Sequence, residues 1–264
     1  MWESLIISVL IGLAIVVPCR LLRVLSTSGM LTAWAFGSSV VFWGGLAWAV
    51  PLLTAFVTAS LWSKVLPGRD ARAKRDSCRT MTQVLANGSC AWACVGWWAL
   101  SGDPLAYAGF VAAFAVLAAD TWATEWGRLS STPPRHILTG RTLVRGESGG
   151  VSLIGTIASA AGAATVAASA GIVLALQGRA AEWWWLAGIA LTGLAGSLLD
   201  SVLGATLQAR FTCPSCGTIT EDSRHCGVSA TPRSGWHWLG NDLVNLTSIV
   251  LATAGWVLLL ACCR

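Results

Sequence analysis

Pro104-Leu-Ala-Tyr-Ala-Gly-Phe-Val-Ala-Ala-Phe-Ala-Val-Leu-Ala-Ala-Asp120-Thr-Trp-Ala-Thr-Glu125 is uncharged over residues 104–119 and then places two acids at its end. As a helix the stretch is about 33 Å long, enough to cross the roughly 30 Å hydrocarbon core of a bilayer. The rest of the chain has the same character. Its 264 residues are 55% hydrophobic and 11% charged, with mean hydropathy +0.67, whereas a soluble domain carries about 25% charged residues. The sequence therefore reads as an all-α, polytopic transmembrane helix bundle, one integral membrane domain over residues 1–264, with the lipid bilayer as a partner and no nucleic acid.

Apolar runs of spanning length fall near residues 4–19, 30–45, 47–63, 80–101, 104–125, 149–176, 183–207 and 240–262. The second and third share one apolar block containing Gly44-Gly45 and Pro51, so they form either a hairpin or a single bent element, giving eight spans or seven. Charge favours eight. The odd-numbered connections then hold fifteen of the seventeen basic residues, while Arg179 alone falls in an even-numbered one. Under the positive-inside rule this makes the polar loops 64–79, 126–148 and 208–239 cytoplasmic and both termini non-cytoplasmic. The first run has Glu3 and no basic residue ahead of it and no small-residue cleavage site behind it, so it reads as a retained span.

Three aspartates lie in or beside these runs. Asp120 is joined by Asp200 in Gly196-Ser-Leu-Leu-Asp-Ser-Val-Leu-Gly204 and Asp242 in Leu239-Gly-Asn-Asp-Leu-Val-Asn245. A carboxylate at membrane depth costs about 2.5–3.5 kcal/mol on insertion scales, which makes each a functional candidate. On the eight-span topology all three reach the cytoplasmic lip, with Glu125, Ser201, Gln208, Asn241 and Asn245 beside them. Hard oxygen donors of this kind suit Mg²⁺, which shares its shell with substrate phosphates. Arginines add bidentate phosphate recognition, and the combination points to phosphoryl transfer.

The segment Arg141-Thr-Leu-Val-Arg-Gly-Glu-Ser-Gly-Gly-Val-Ser152 extends the theme. Ser148, Gly149 and Gly150 precede an apolar run, and free amides at a helix N-terminus bind anions. Equally, Ser148 is a plain N-cap and the glycines allow close helix packing. Arg135, Arg141 and Arg145 nearby keep both readings open. It is not a Walker A motif, because no Gly-Lys-Ser/Thr follows. In the third connection Lys64, Lys74, Arg75 and Arg79 lead into a helix on which Arg79, Gln83 and Asn87 share a face. Basic loops commonly serve as topology determinants, but a polar stripe that continues into a span needs partners and is expected to line the site.

Cys213-Pro-Ser-Cys216-Gly and His225-Cys226-Gly resemble a zinc site with an irregular second half. Structural zinc and unmetallated thiols are both open; a disulfide is disfavoured in a reducing cytoplasm. The remaining cysteines lie in or next to spans as small apolar residues. Trp97-Trp98 and Trp183-Trp184-Trp185 fit an interfacial aromatic belt.

Seven strings occur in order between Thr27 and Thr253: Arg79-Thr-Met-Thr-Gln-Val-Leu-Ala-Asn-Gly88, Ala119-Asp-Thr-Trp-Ala-Thr-Glu-Trp-Gly127, Pro134-Arg-His-Ile-Leu-Thr139, Gly149-Gly-Val-Ser-Leu-Ile-Gly-Thr156, Gly196 to Gln208, His225-Cys-Gly227 and Asn241-Asp-Leu-Val-Asn245. They resemble the DUF92/TMEM19 integral membrane family, whose plant members are phytyl-phosphate kinases. The resemblance implies a membrane kinase that transfers the γ-phosphate of a nucleoside triphosphate, foremost CTP, to an isoprenyl (phytyl, geranylgeranyl or farnesyl) monophosphate. Asp120, Asp200 and Asp242 are then assigned to Mg²⁺, with Glu125, Asn241 and Asn245 in the catalytic group. Lys64, Arg79, Gln83, Asn87, Arg135, Arg141, Arg145, Ser148, Gly149, Gly150, Ser201 and Gln208 are assigned to substrate and phosphate. Cys213, Cys216, His225 and Cys226 are the candidate Zn²⁺ ligands. Asp120 and Glu125 are about 140° apart around one helix, so they share a site only if that helix ends between them. Alternatives are a transporter or lipid flippase with intramembrane carboxylates, or a kinase acting on polyprenol or another lipid alcohol. Sparse Lys beside abundant Arg suggests a GC-rich genome, and a bacterial inner membrane is the expected location.

Overall fold

The computed structural model describes residues 2–66 and 78–263. The basic residues Arg69, Arg72, Lys74 and Arg75 of the 64–79 loop lie outside the described residues. The described chain is a bundle of seven helices: α1 (Trp2–Leu21), α2 (Thr27–Val65), α3 (Met81–Ser101), α4 (Pro104–Gly127), α5 (Leu153–Leu176), α6 (Trp183–Thr206) and α7 (Asn241–Cys262). All but α3 pass as membrane spans on length and composition alone. Seven short strands sit in the polar connections, β1 (Arg135–His136) and β2 (Gly150–Val151) before α5 and β3–β7 between α6 and α7.

The hairpin expected within the second apolar block is present. Gly45 interrupts α2 with φ 64° and ψ −154°, a conformation that only glycine adopts freely. Neighbours at its two ends show that the chain reverses there. At one end Ser26 and Gly29 lie against Arg79, and Lys64 Nζ donates to the carbonyl of Leu22. At the other, Trp98 Nε1 donates to the Trp43 carbonyl (3.2 Å) and Trp48 packs on Trp98, Tyr107 and Phe110. The two arms of α2 with the other six helices make the eight helical runs.

The core helix is α4, which packs against α2, α3, α5, α6 and α7. Every residue from Leu105 to Ala119 is buried, nearly all of them small or apolar. Two spans approach it closely because they carry glycine at the crossing. A Cβ at Gly162 would lie 2.9 Å from the Ala118 carbonyl oxygen, and one at Gly193 would lie 2.9 Å from that of Ala115. Between apolar helices in lipid, such backbone approach supplies the van der Waals contact that drives association. The Asp103 side chain starts α4 by accepting from Leu105 N (2.9 Å), with Pro104 in the first turn.

Helices run alternately up and down, so α4, α6 and the second arm of α2 finish, and α3, α5 and α7 begin, at the end that carries the polar loops. The start of α1 and the end of α7 therefore both fall at the far end.

Candidate functional site

Two cavities lie among the helices. The polar one, about 280 Å³, lies among the end of α4, the start of α5 and the end of α6, roofed by the 145–152 segment. Asp120 on α4 and Asp200 on α6 both face it, and Asn241 at the first turn of α7 completes its rim. Of the residues singled out in the sequence, Arg145, Ser148, Gly149, Gly150, Ser201 and Gln208 also line it. Ser248 Oγ lies 3.1 Å from Asp200 Oδ2 and 2.9 Å from the Asn245 carbonyl, two acceptors that share its one hydrogen, and so holds the carboxylate against the start of α7.

The 145–152 segment is a turn and a strand rather than a helix start. The helix begins four residues after a Ser148 cap would start it, and its N-cap is Ser152, whose Oγ accepts from Gly155 N (3.1 Å). Gly150 pairs with His136 in the β1–β2 ladder. Gly149 has φ 79°, and a Cβ there would fall 2.4 Å from the Ala205 Cβ, so the turn is pressed against α6. Arg210 fastens it from the other side: Nη1 to Glu147 Oε1 (3.2 Å) and Nη2 to the Ser148 carbonyl (2.8 Å).

Among the described residues, three buried polar atoms of this cavity have no hydrogen-bond partner: Arg145 Nη1, Gln208 Nε2 and Ser159 Oγ. Leaving a buried donor unmatched costs about 1–3 kcal/mol, so an acceptor entering the cavity, water or ligand oxygen, is stabilised there. Asp120, Glu147, Asp200 and Glu221 set four carboxylates against Arg128 and Arg145. This excess of hard anionic oxygen fits one or two Mg²⁺ ions, and the unmatched donors fit phosphate oxygens beside them.

The remaining candidates fall elsewhere. Helix α4 continues past Asp120 to Gly127, so Glu125 points away from the polar cavity, accepting from Ser63 Oγ (2.9 Å) and Arg128 Nη1 (3.1 Å). Asp242 is not in the cavity lining; it lies in the first turn of α7, where an acid is favoured by the helix dipole. Arg135 donates to the Gly140 carbonyl and Arg141 lies 3.9 Å from Glu147, both outside the lining. Lys64 ties the end of α2 to α1.

Arg79, Gln83 and Asn87 belong to the second cavity, about 320 Å³, an apolar space between α1, both arms of α2, α3 and α4. Two of them are satisfied locally: Gln83 Oε1 accepts from Thr80 N in a capping box, and Asn87 donates to the Gln83 carbonyl. Arg79 stacks over Phe56 at 5.6 Å.

Four residues of this neighbourhood are not among the sequence candidates: Glu147 lies within the Arg141–Ser152 segment and Arg210 two residues past Gln208, whereas Ser248 and Glu221 have no local pattern to mark them. The Glu221 carboxylate accepts from Ser148 Oγ, so the 210–234 lobe contributes to the cavity.

In that lobe Cys213, Cys216, His225 and Cys226 converge, with one ligand atom from each lying within 4.8 Å of all the others. Bonding to His225 draws the Cys213 thiol below its ordinary pKa. Thr218 brings Cys216 down to about 6. Cys213 and Cys216 in turn raise the His225 imidazole, and the neighbouring Cys216 pushes Cys226 up to about 11.

The fold and site define a polytopic helical membrane protein with a carboxylate-rich pocket at one end of the bundle. The chain belongs to the integral membrane protein family DUF92, whose profile matches residues 10–253. It is similar to Protein PGR of Arabidopsis thaliana, 30% identical over 239 residues covering 81% of this chain and 82% of that one. A membrane protein of Synechocystis is 29% identical over 268 residues, covering 96% and 89%. A third, from Methanocaldococcus jannaschii, is 28% identical over 214 residues, covering 78% and 84%. No solved structure matches the chain.

Proposed function

We propose that the protein is a membrane kinase that transfers the γ-phosphate of a nucleoside triphosphate, foremost CTP, to an isoprenyl monophosphate. The observation that carries this reading is the polar cavity, which joins Asp120, Asp200 and Asn241 to the unmatched donors of Arg145 and Gln208. Glu147 is paired with Arg210 and Arg128 with Glu125, which leaves Asp120, Asp200 and Glu221 beside Arg145, so a polyphosphate is repelled unless it enters with divalent cations. Mg²⁺ held by Asp120 and Asp200 would neutralise charge on the transferring phosphoryl group. The chain's own part is positioning: Arg145 and Gln208 hold phosphate oxygens, and Ser248 fixes the Asp200 carboxylate. A phosphate acceptor already bears its attacking oxygen as an anion, so no strong base is needed. The acids sit at one end of the bundle rather than mid-span, which favours a kinase over a transporter.

The apolar cavity supports a lipid substrate. Its walls include Val16, Phe36, Val40, Leu53 and Phe114, and Arg79 lies at its polar edge. Gly37 lines it, and a Cβ there meets nothing within 4 Å. Gly37→Leu is therefore expected to fill the space and raise KM for the isoprenyl monophosphate with KM for nucleotide unchanged. The decisive assay supplies purified protein with each nucleoside triphosphate and phytyl, geranylgeranyl or farnesyl monophosphate. Absence of diphosphate from every pairing overturns the kinase reading.

A further inference from the structure

The lobe from Arg210 to Ser234 is built from strands of two to four residues, and its own buried apolar cluster is Ala209, Phe211 and Ala230. Three such side chains are far too few to fix two hairpins by burial alone, and small lobes of this kind are commonly stapled by a metal.

The four converging side chains have the dimensions of such a staple. A tetrahedral zinc with Zn–S of about 2.3 Å and Zn–N of about 2.0 Å sets S–S edges near 3.8 Å and S–N edges near 3.5 Å. The Cys216 and Cys226 sulfurs are 3.7 Å apart, and His225 Nδ1 lies 3.5 Å from Cys216 Sγ and 3.3 Å from Cys226 Sγ. The backbone is bent to achieve this. Cys226 has φ 52°, a left-handed value uncommon for a residue with a side chain, and Gly227 follows at 77°. At the other half, the Cys213 carbonyl accepts from Gly217 N (2.9 Å), closing the turn that places Cys216. Three sulfurs and an imidazole select a soft or borderline cation and exclude Mg²⁺ as the occupant.

We propose that Cys213, Cys216, His225 and Cys226 bind one Zn²⁺, and that this ion holds Glu221 at the rim of the polar cavity. Glu221 lies between the second and third ligands in the chain, with Cys216 five residues before it and His225 four after. Fixing both ligands fixes the bend after the Ile219–Thr220 strand, which carries Glu221 to Ser148. Binding displaces the thiol protons and leaves all four groups as metal donors. Glu221 is thus a positioning contact between the lobe and the 145–152 turn, independent of which substrate the cavity takes.

The full-length protein, purified in detergent from zinc-supplemented cells, should contain one zinc per chain by elemental mass spectrometry. Cys216→Ser and Cys226→Ser should each retain at least about tenfold less. Replacing zinc with Co²⁺ in the unmodified protein should give thiolate-to-cobalt charge-transfer absorption and strong tetrahedral d–d bands, a readout that needs no variant to fold. Hydrogen exchange then tests the coupling: chelation should speed exchange in residues 210–234 and in 145–150 together. Substoichiometric zinc with no cobalt bands overturns the site. Normal metal content with exchange in 145–150 indifferent to chelation overturns the link to Glu221. Neither result depends on kinase activity.

Discussion

Asp120, Asp200 and Asp242 are chemically alike and equally expensive in an apolar run, yet the fold treats them differently. The first two face one cavity, while Asp242 sits in the first turn of α7 outside its lining. On the proposed reading, Asp120→Asn and Asp200→Asn each lose about 10- to 100-fold or more in phosphoryl transfer. Asp242→Asn should lose far less. Equal losses in all three, measured on folded protein, would return Asp242 to the metal site. Glu125→Gln should keep near-normal activity, since Glu125 lies outside the cavity lining and accepts from Ser63 Oγ and Arg128 Nη1. At Gly149 the expectation is structural: Gly149→Ala meets both a left-handed φ and Ala205 at 2.4 Å. It should cost about 1–3 kcal/mol, read as a lowered unfolding temperature in detergent. The sixteen-residue uncharged run before Asp120 marked that residue as unusual, but which carboxylates share a cavity depends on helix rotation.

Among the elements, α2 makes the sharpest test. Its 39 residues would extend about 58 Å as one straight helix, almost twice a bilayer's hydrocarbon thickness, so it must fold back. Gly45 does this in open surroundings, where an added Cβ meets nothing within 4 Å. The strain in Gly45→Ala is therefore backbone alone, about 1–3 kcal/mol, and thermal unfolding should register it. An unchanged unfolding temperature would mean the bend has another cause. The Gly44-Gly45 pair and the loop charges made this hairpin legible in the sequence. The start of α5 was less so, because Ser148 and Ser152 are both good caps and only the β1–β2 pairing assigns Gly149 and Gly150 to a strand and turn. Gln83 and Asn87 read in the sequence as a stripe in need of partners; local backbone groups bond Gln83 Oε1 and Asn87 Nδ2.

For the whole molecule, the described chain ends lie opposite the polar loops, and the described basic residues other than Arg179 fall at the loop end. On the positive-inside rule the polar cavity is expected on the cytoplasmic side. A periplasmically active reporter fused at the C-terminus should be active, and the same reporter inserted at residue 215 should be silent; the reverse pattern overturns this orientation. Composition, hydrophobic run length and loop charge determined the class, the number of helical runs and the end of the bundle that gathers polar residues, because these follow from transfer free energy summed along the chain. The motif order pointed to the family. The tertiary structure decided the grouping: Asp120 with Asp200, Glu125 turned away, the 79–87 stripe in a separate apolar cavity, and Glu221 brought in from the cysteine-rich lobe. Those groupings arise from helix rotation and from contacts between residues as far apart as Ser148 and Glu221, which no local pattern encodes.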